Sequence, residues 1–293
     1  MLFRSQCALA FLISVGGGLQ LSGADARVGP ALGLLALVCA VACYLVSFLM
    51  LDRGGKLGRN FYTYSTFGFL LAVAGSRILL SGAATAVAWS VLAVAAIWVG
   101  GVFLRLTLKV HGIIFMLLAL TASSALEQAA GLLLGERTWP GGAPWAIWSG
   151  ALTAALCYAL GTRQGAAVTP SWSSRALRIL VAGTSVLLVA GIAAGLLTSG
   201  YHAIFGAEAT HAYCATMRTF VLSAAALLLA WAGGRWDRPE FARLVYPVMV
   251  LGAYRMIVVD LRQDRTAALF LSLLLYGGAL ILLPKLIRAR AVV

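Results

Sequence analysis

The stretch AATAVAWSVLAVAAIWVGGVFL, residues 83–104, carries no charged side chain, and Arg105 and Lys109 follow directly. About 20 apolar residues wound as a helix cover the hydrocarbon thickness of a bilayer. Lipid offers no partner for an unpaired peptide group, so a run of this length is read as a membrane-crossing helix. The cations behind it mark a water-facing end.

The same pattern repeats along the chain. Apolar segments fall at roughly 5–22, 31–51, 61–81, 83–104, 108–126, 143–161, 176–198, 213–234, 242–262 and 266–286. The expectation is an all-α, polytopic transmembrane helix bundle of ten spans, forming a single helical domain over 1–293. Composition agrees. Of the 293 residues, 62% are hydrophobic and 11% charged, against about 45–50% and about 25% in a soluble domain. So few charges could not clothe a water-exposed surface.

Nineteen arginines and three lysines give a formal charge of +13. In a soluble protein that would suggest nucleic acid, but no gap holds a contiguous basic run or a recognition motif. The cations instead alternate. One set of gaps holds fifteen: Arg4; Arg53, Lys56 and Arg59; Arg105 and Lys109; Arg163, Arg175 and Arg178; Arg235, Arg238 and Arg243; Lys285, Arg288 and Arg290. The other set holds five: Arg27, Arg77, Arg137, Arg262 and Arg265. Cytoplasmic loops are the richer in Lys and Arg, which puts both termini in the cytoplasm. Trp139, Trp145 and Trp148 then mark an outer boundary, and Trp172, Trp231 and Trp236 inner ones.

The first segment admits two readings. Arg4, an apolar run and Ala24-Asp25-Ala26 also describe a secretory signal over 1–26. Its removal would leave nine spans with the sidedness of the rest unchanged. The five cysteines, Cys7, Cys39, Cys43, Cys157 and Cys214, lie in or beside apolar stretches without zinc spacing, and are expected to be reduced and buried.

Charge inside a span is costly and is a functional hypothesis by default. Arg77, Arg218 and Arg255 qualify, each a few residues from the outer end of its helix. Together they form a candidate binding site for an anionic group, which the planar guanidinium suits. The alternative is that each snorkels to the interface or pairs with Glu127, Glu208 or Asp260. Asp260 is a poor same-helix match for Arg255, because five residues at about 100° leave them some 140° apart. Arg77 in AVAGSRILL and Arg255 in LGAYRMIVV sit at like places in two hairpins that would point the same way.

Other chemistry is thinly represented. If the eighth span starts a turn early, His211, Cys214 and Arg218 share one face. Histidine and cysteine can hold copper or zinc, but a cation one turn away opposes a metal and further ligands are missing, so neither a metal nor a cofactor is expected. His111, beside Lys109, reads as cytoplasmic interface. GxSxG, HExxH, P-loop and paired-carboxylate signatures are absent, which argues against an enzyme and assigns no catalytic residue.

Two stretches carry a resemblance. YRMIVVDLRQDRTAALFLSLLLYGGALILLPKLIR (Tyr254 to Arg288) and AVAWSVLAVAAIWVGGVFLRLTLKVHGIIFMLLAL (Ala86 to Leu120) cover about a quarter of the chain. They resemble segments of an uncharacterised bacterial family of many-spanning predicted membrane proteins with a domain of unknown function. This chain is short for that family. The resemblance implies a bacterial, all-helical, multi-pass protein of the inner membrane and no activity. The expected partners are membrane lipids and other membrane-protein subunits, not nucleic acid. The expected role is a membrane subunit or scaffold of a cell-envelope complex, with a transporter or lipid-handling protein as the alternative.

Overall fold

A computed structural model describes residues 28–51, 59–139, 144–163, 172–206, 211–262 and 266–288. The segment 5–22, and with it the question of a signal over 1–26, lies outside the described residues. Within them the chain is α-helical: α1 (Val28–Leu45, continued by a wider-wound turn, Val46–Leu51), α2 (Arg59–Leu79), α3 (Gly82–Val102), α4 (Leu106–Ala122), α5 (Ala125–Leu134), α6 (Trp145–Arg163), α7 (Trp172–Phe205), α8 (His211–Arg235), α9 (Pro239–Val258) and α10 (Thr266–Arg288).

Each expected span from 31–51 onward coincides with a described helix. Six of these helices, α1, α3 and α7 to α10, are long and apolar enough to cross a membrane, or seven if α4 and α5 form one bent span. Helices α2 and α6 fall short by composition, because Asn60, Thr63, Ser65 and Thr66 dilute one, and Trp145, Trp148, Ser149 and Thr153 the other.

The helix α5 departs from the expected pattern. The apolar segment over 108–126 reads as one span with Glu127 at its outer end. The chain bends by 65° instead and resumes as a ten-residue helix. The break falls at Ser123 and Ser124, where Ser124 takes a left-handed backbone (φ 58°) and the Ser123 hydroxyl donates to the carbonyl of Leu120 at 3.2 Å. A serine that bonds its own preceding turn competes with continuation of the helix.

The helices gather into two compact units, Met1–Val91 and Leu92–Val293, and the boundary falls inside α3 rather than at a linker. In the first unit α1 and α2 pack through small residues. A side chain at Gly75 would come within 2.8 Å of the Gly33 carbonyl oxygen. The Trp89 indole donates to the Ser76 hydroxyl at 2.8 Å, tying the start of α3 to α2. The outer surface of α1 stays apolar and exposed at Leu34, Leu35, Val38 and Val41, as a lipid-facing helix requires.

In the second unit α8 is the central element: more than half of its most apolar stretch is buried, against less than a quarter for α10. Ala182, Ala226, Leu244, Met249 and Leu283 form one core cluster among α7 to α10, and Leu133, Ala190, Ala194 and Leu222 join α5 to α7 and α8. Gly191 lets α7 approach α5, because a side chain there would meet the Ala129 backbone at 2.7 Å. With Gly195 it forms a small-xxx-small pair, GIAAG, of the kind that brings membrane helices close.

Candidate functional site

The polar centre of the second unit grows from α8. Thr216 and Thr219, three residues apart, lie on one face of this helix, and both are buried. Thr216 Oγ1 lies 3.2 Å from the Ala268 carbonyl and accepts the Ser272 hydroxyl at 3.2 Å, which links α8 to α10. Thr219 donates to Asp260 Oδ2 at 2.7 Å. The Tyr276 hydroxyl donates to the Met249 carbonyl at 3.0 Å and links α10 to α9.

Arg255 lies at the heart of this network with none of its surface exposed. Its Nη1 donates to the Leu133 carbonyl at 2.7 Å and its Nη2 to the Ala215 carbonyl at 3.0 Å. Leu133 belongs to the last turn of α5, whose carbonyls have no partner within the helix. The guanidinium thus caps the negative end of α5. Nη2 also lies 3.7 Å from Asp260 Oδ1, and Asp260 too is wholly buried.

That pairing corrects the helical-wheel expectation. An uninterrupted α-helix would hold Asp260 away from Arg255. Instead α9 ends at Val258, Val259 donates its N–H to the Arg255 carbonyl at 2.8 Å, and a 3-10 turn begins at Asp260. The change of winding carries the carboxylate back over the guanidinium.

The other members of the candidate set fare differently. Arg218 is half-buried on α8, close enough to interact electrostatically with Asp260 and with Arg255. It packs over Gly135, the residue that ends α5 in a left-handed conformation (φ 89°), where a side chain would meet Nη1 at 2.6 Å. Arg77 belongs to the first unit and is exposed in the last turn of α2. Its neighbour Ser76 faces inward instead. Glu127 pairs with Arg137, not with an arginine inside a span, and both side chains are solvent-accessible. Glu208 lies outside the described residues.

Further expectations shift in detail. Helix α8 does begin at His211, so His211, Cys214 and Arg218 share a face, but the group against Cys214 Sγ is His202 Nε2, at 3.4 Å. No set of three or more potential metal ligands occurs among the described residues. Cys157 and Cys214 are buried free thiols, Cys43 is half-buried, and Cys39 is exposed rather than buried. Cys7 lies outside the described residues. His111 is buried near the start of α4. A second polar cluster had no sequence signal: buried Glu240, in the first turn of α9, accepts the Tyr158 hydroxyl at 3.1 Å and lies 3.9 Å from Arg238. Only the fold brings Tyr158 to it.

No family model, curated protein or solved structure matches this chain, so its own residues carry the functional reading.

Proposed function

We propose that this chain is a multi-pass protein of the bacterial inner membrane that acts as a membrane subunit or scaffold of a cell-envelope complex. The observation that carries the reading is how Arg255 and Asp260 are used. The most deeply buried charges described are engaged with the carbonyls of Leu133 and Ala215 and with the Thr219 hydroxyl, so they fix helices to one another. In this reading the buried ion pair selects one packing of the helices rather than adding stability. A bundle so fixed is suited to present constant faces to lipid and to neighbouring subunits. The serine and threonine bonds between helices and the small-residue contacts support the same role.

The finer topology belongs to the proposal: ten spans, or nine after cleavage of 1–26, with both termini cytoplasmic. The division of fifteen cations against five supports it. The likeness of Ala86–Leu120 and Tyr254–Arg288 to the many-spanning bacterial family supports the inner membrane. Purification of the full chain from its native membrane in mild detergent, followed by native mass spectrometry, tests the role. A partner retained at fixed stoichiometry is expected. A lone, monodisperse chain under every extraction condition would overturn the subunit reading.

A further inference from the structure

Two guanidiniums meet at the C-terminal end of α5, and among the described residues one carboxylate faces them. Asp260 receives Thr219 on Oδ2 and faces Arg255 with Oδ1. The helix end itself contributes about half a negative charge. Against two cations, this leaves a positive remainder of about half a charge in a half-buried setting. Charge is expensive there unless something answers it.

The remainder resides on Arg218. Both Nη atoms of Arg255 are committed to carbonyls. The Nε of each arginine is buried without a hydrogen-bond partner, but Arg218 as a whole is only half-buried and reaches Asp260 only through space. Gly135 leaves its guanidinium room that any side chain would take. His211, Cys214 and Arg218 lie along one face of α8. His211 stands seven residues earlier and is exposed, and His202 abuts Cys214 between the two. Seven residues of helix place Arg218 about 10 Å below His211. Toward the same end of α7 and α8, Tyr201 packs against Phe205 at 4.7 Å and Tyr213 at 6.2 Å between ring centres, and Trp139 lies over Gly195 on α7. Such aromatic groups gather at the level of lipid headgroups.

We propose that Arg218 binds a phosphate group that enters along the His211 face of α8. A phosphate oxygen pair matches the planar fork of arginine and supplies the missing negative charge. Depth and aromatic surroundings fit the phosphodiester of an anionic phospholipid, and free phosphate shares the same chemistry.

The test uses the full-length protein in detergent micelles. Phosphatidylglycerol and phosphatidylcholine are titrated and bound lipid is counted by native mass spectrometry; inorganic phosphate alone is followed by thermal melting. Retention of phosphatidylglycerol is expected to weaken about tenfold or more in Arg218→Gln, a change of about 1.4 kcal/mol. Arg218→Lys, which keeps the charge and loses the fork, should fall between, and Arg77→Gln should match the wild type. A melting shift with inorganic phosphate that Arg218→Gln abolishes identifies free phosphate as the source; a response to the lipid alone identifies the headgroup. Equal lipid retention together with an equal phosphate melting shift in wild type and folded Arg218→Gln overturns the proposal. So does wild-type retention in Arg218→Lys, should the glutamine variant fail to fold.

Discussion

Arg77 and Arg255 hold like places in two look-alike hairpins, yet one is exposed and the other is sealed within the protein. The next few residues and the packing around each arginine account for the difference. After Arg255 the helix stops within three residues, and the 3-10 turn returns an aspartate to the guanidinium. After Arg77 the chain offers Ile78 to Thr85 with no acid. The inward position of α2 goes to Ser76, which accepts the Trp89 indole and donates to the preceding turn. An arginine inside an apolar run is therefore not one kind of thing. It enters the core where a carboxylate and free carbonyls await it, and otherwise turns outward in the last turn of its helix, where a cation is favoured.

The largest effect should come from breaking the buried side of this contrast. Arg255→Met removes the nearer cation from buried Asp260 and the donors from the Leu133 and Ala215 carbonyls, with an expected loss of about 3–5 kcal/mol in stability, measured by denaturant titration in micelles. Pairing it with Asp260→Leu should restore much of that loss, since an apolar pair needs no partner. A single variant as stable as the wild type would show that the ion pair is not formed. Thr219→Val removes one hydrogen bond to the carboxylate and should cost about 1.5–3 kcal/mol; a neutral result would place Asp260 Oδ2 elsewhere. The smallest effect is expected from Arg77→Met, within about 0.5 kcal/mol in the same assay, and a loss comparable to that of Arg255→Met would erase the contrast.

Much of the bundle was legible because membrane helices are written in long apolar runs that need no partner to be recognised. The positions of α1, α7, α8 and α10 come from those runs alone. The bend at Ser123–Ser124 was not legible in the same way, since hydropathy continues across it; the pair of serines was the available clue. The close approach of α7 to α5 had its own signal in Gly191 and Gly195, four residues apart. The site was half readable. Its arginines stood out as charges among aliphatics, and Asp260 was in view as a partner. Its engagement with Arg255 turned on a change of helical winding that residue spacing does not encode. Tyr158 and Glu240 gave no local sign, because 82 positions of chain separate them.

The sequence by itself determined that this protein is helical and membrane-spanning in character, because apolar length and scarcity of charge are properties of single segments. Tertiary structure alone decided what each intramembrane arginine does. The cost of a buried charge depends on the carbonyls, hydroxyls and carboxylate brought around it, and those come from α5, α8 and the turn after α9. Arg255 found them for both of its Nη atoms, Arg77 turned outward, and Arg218 stayed half-buried beside them.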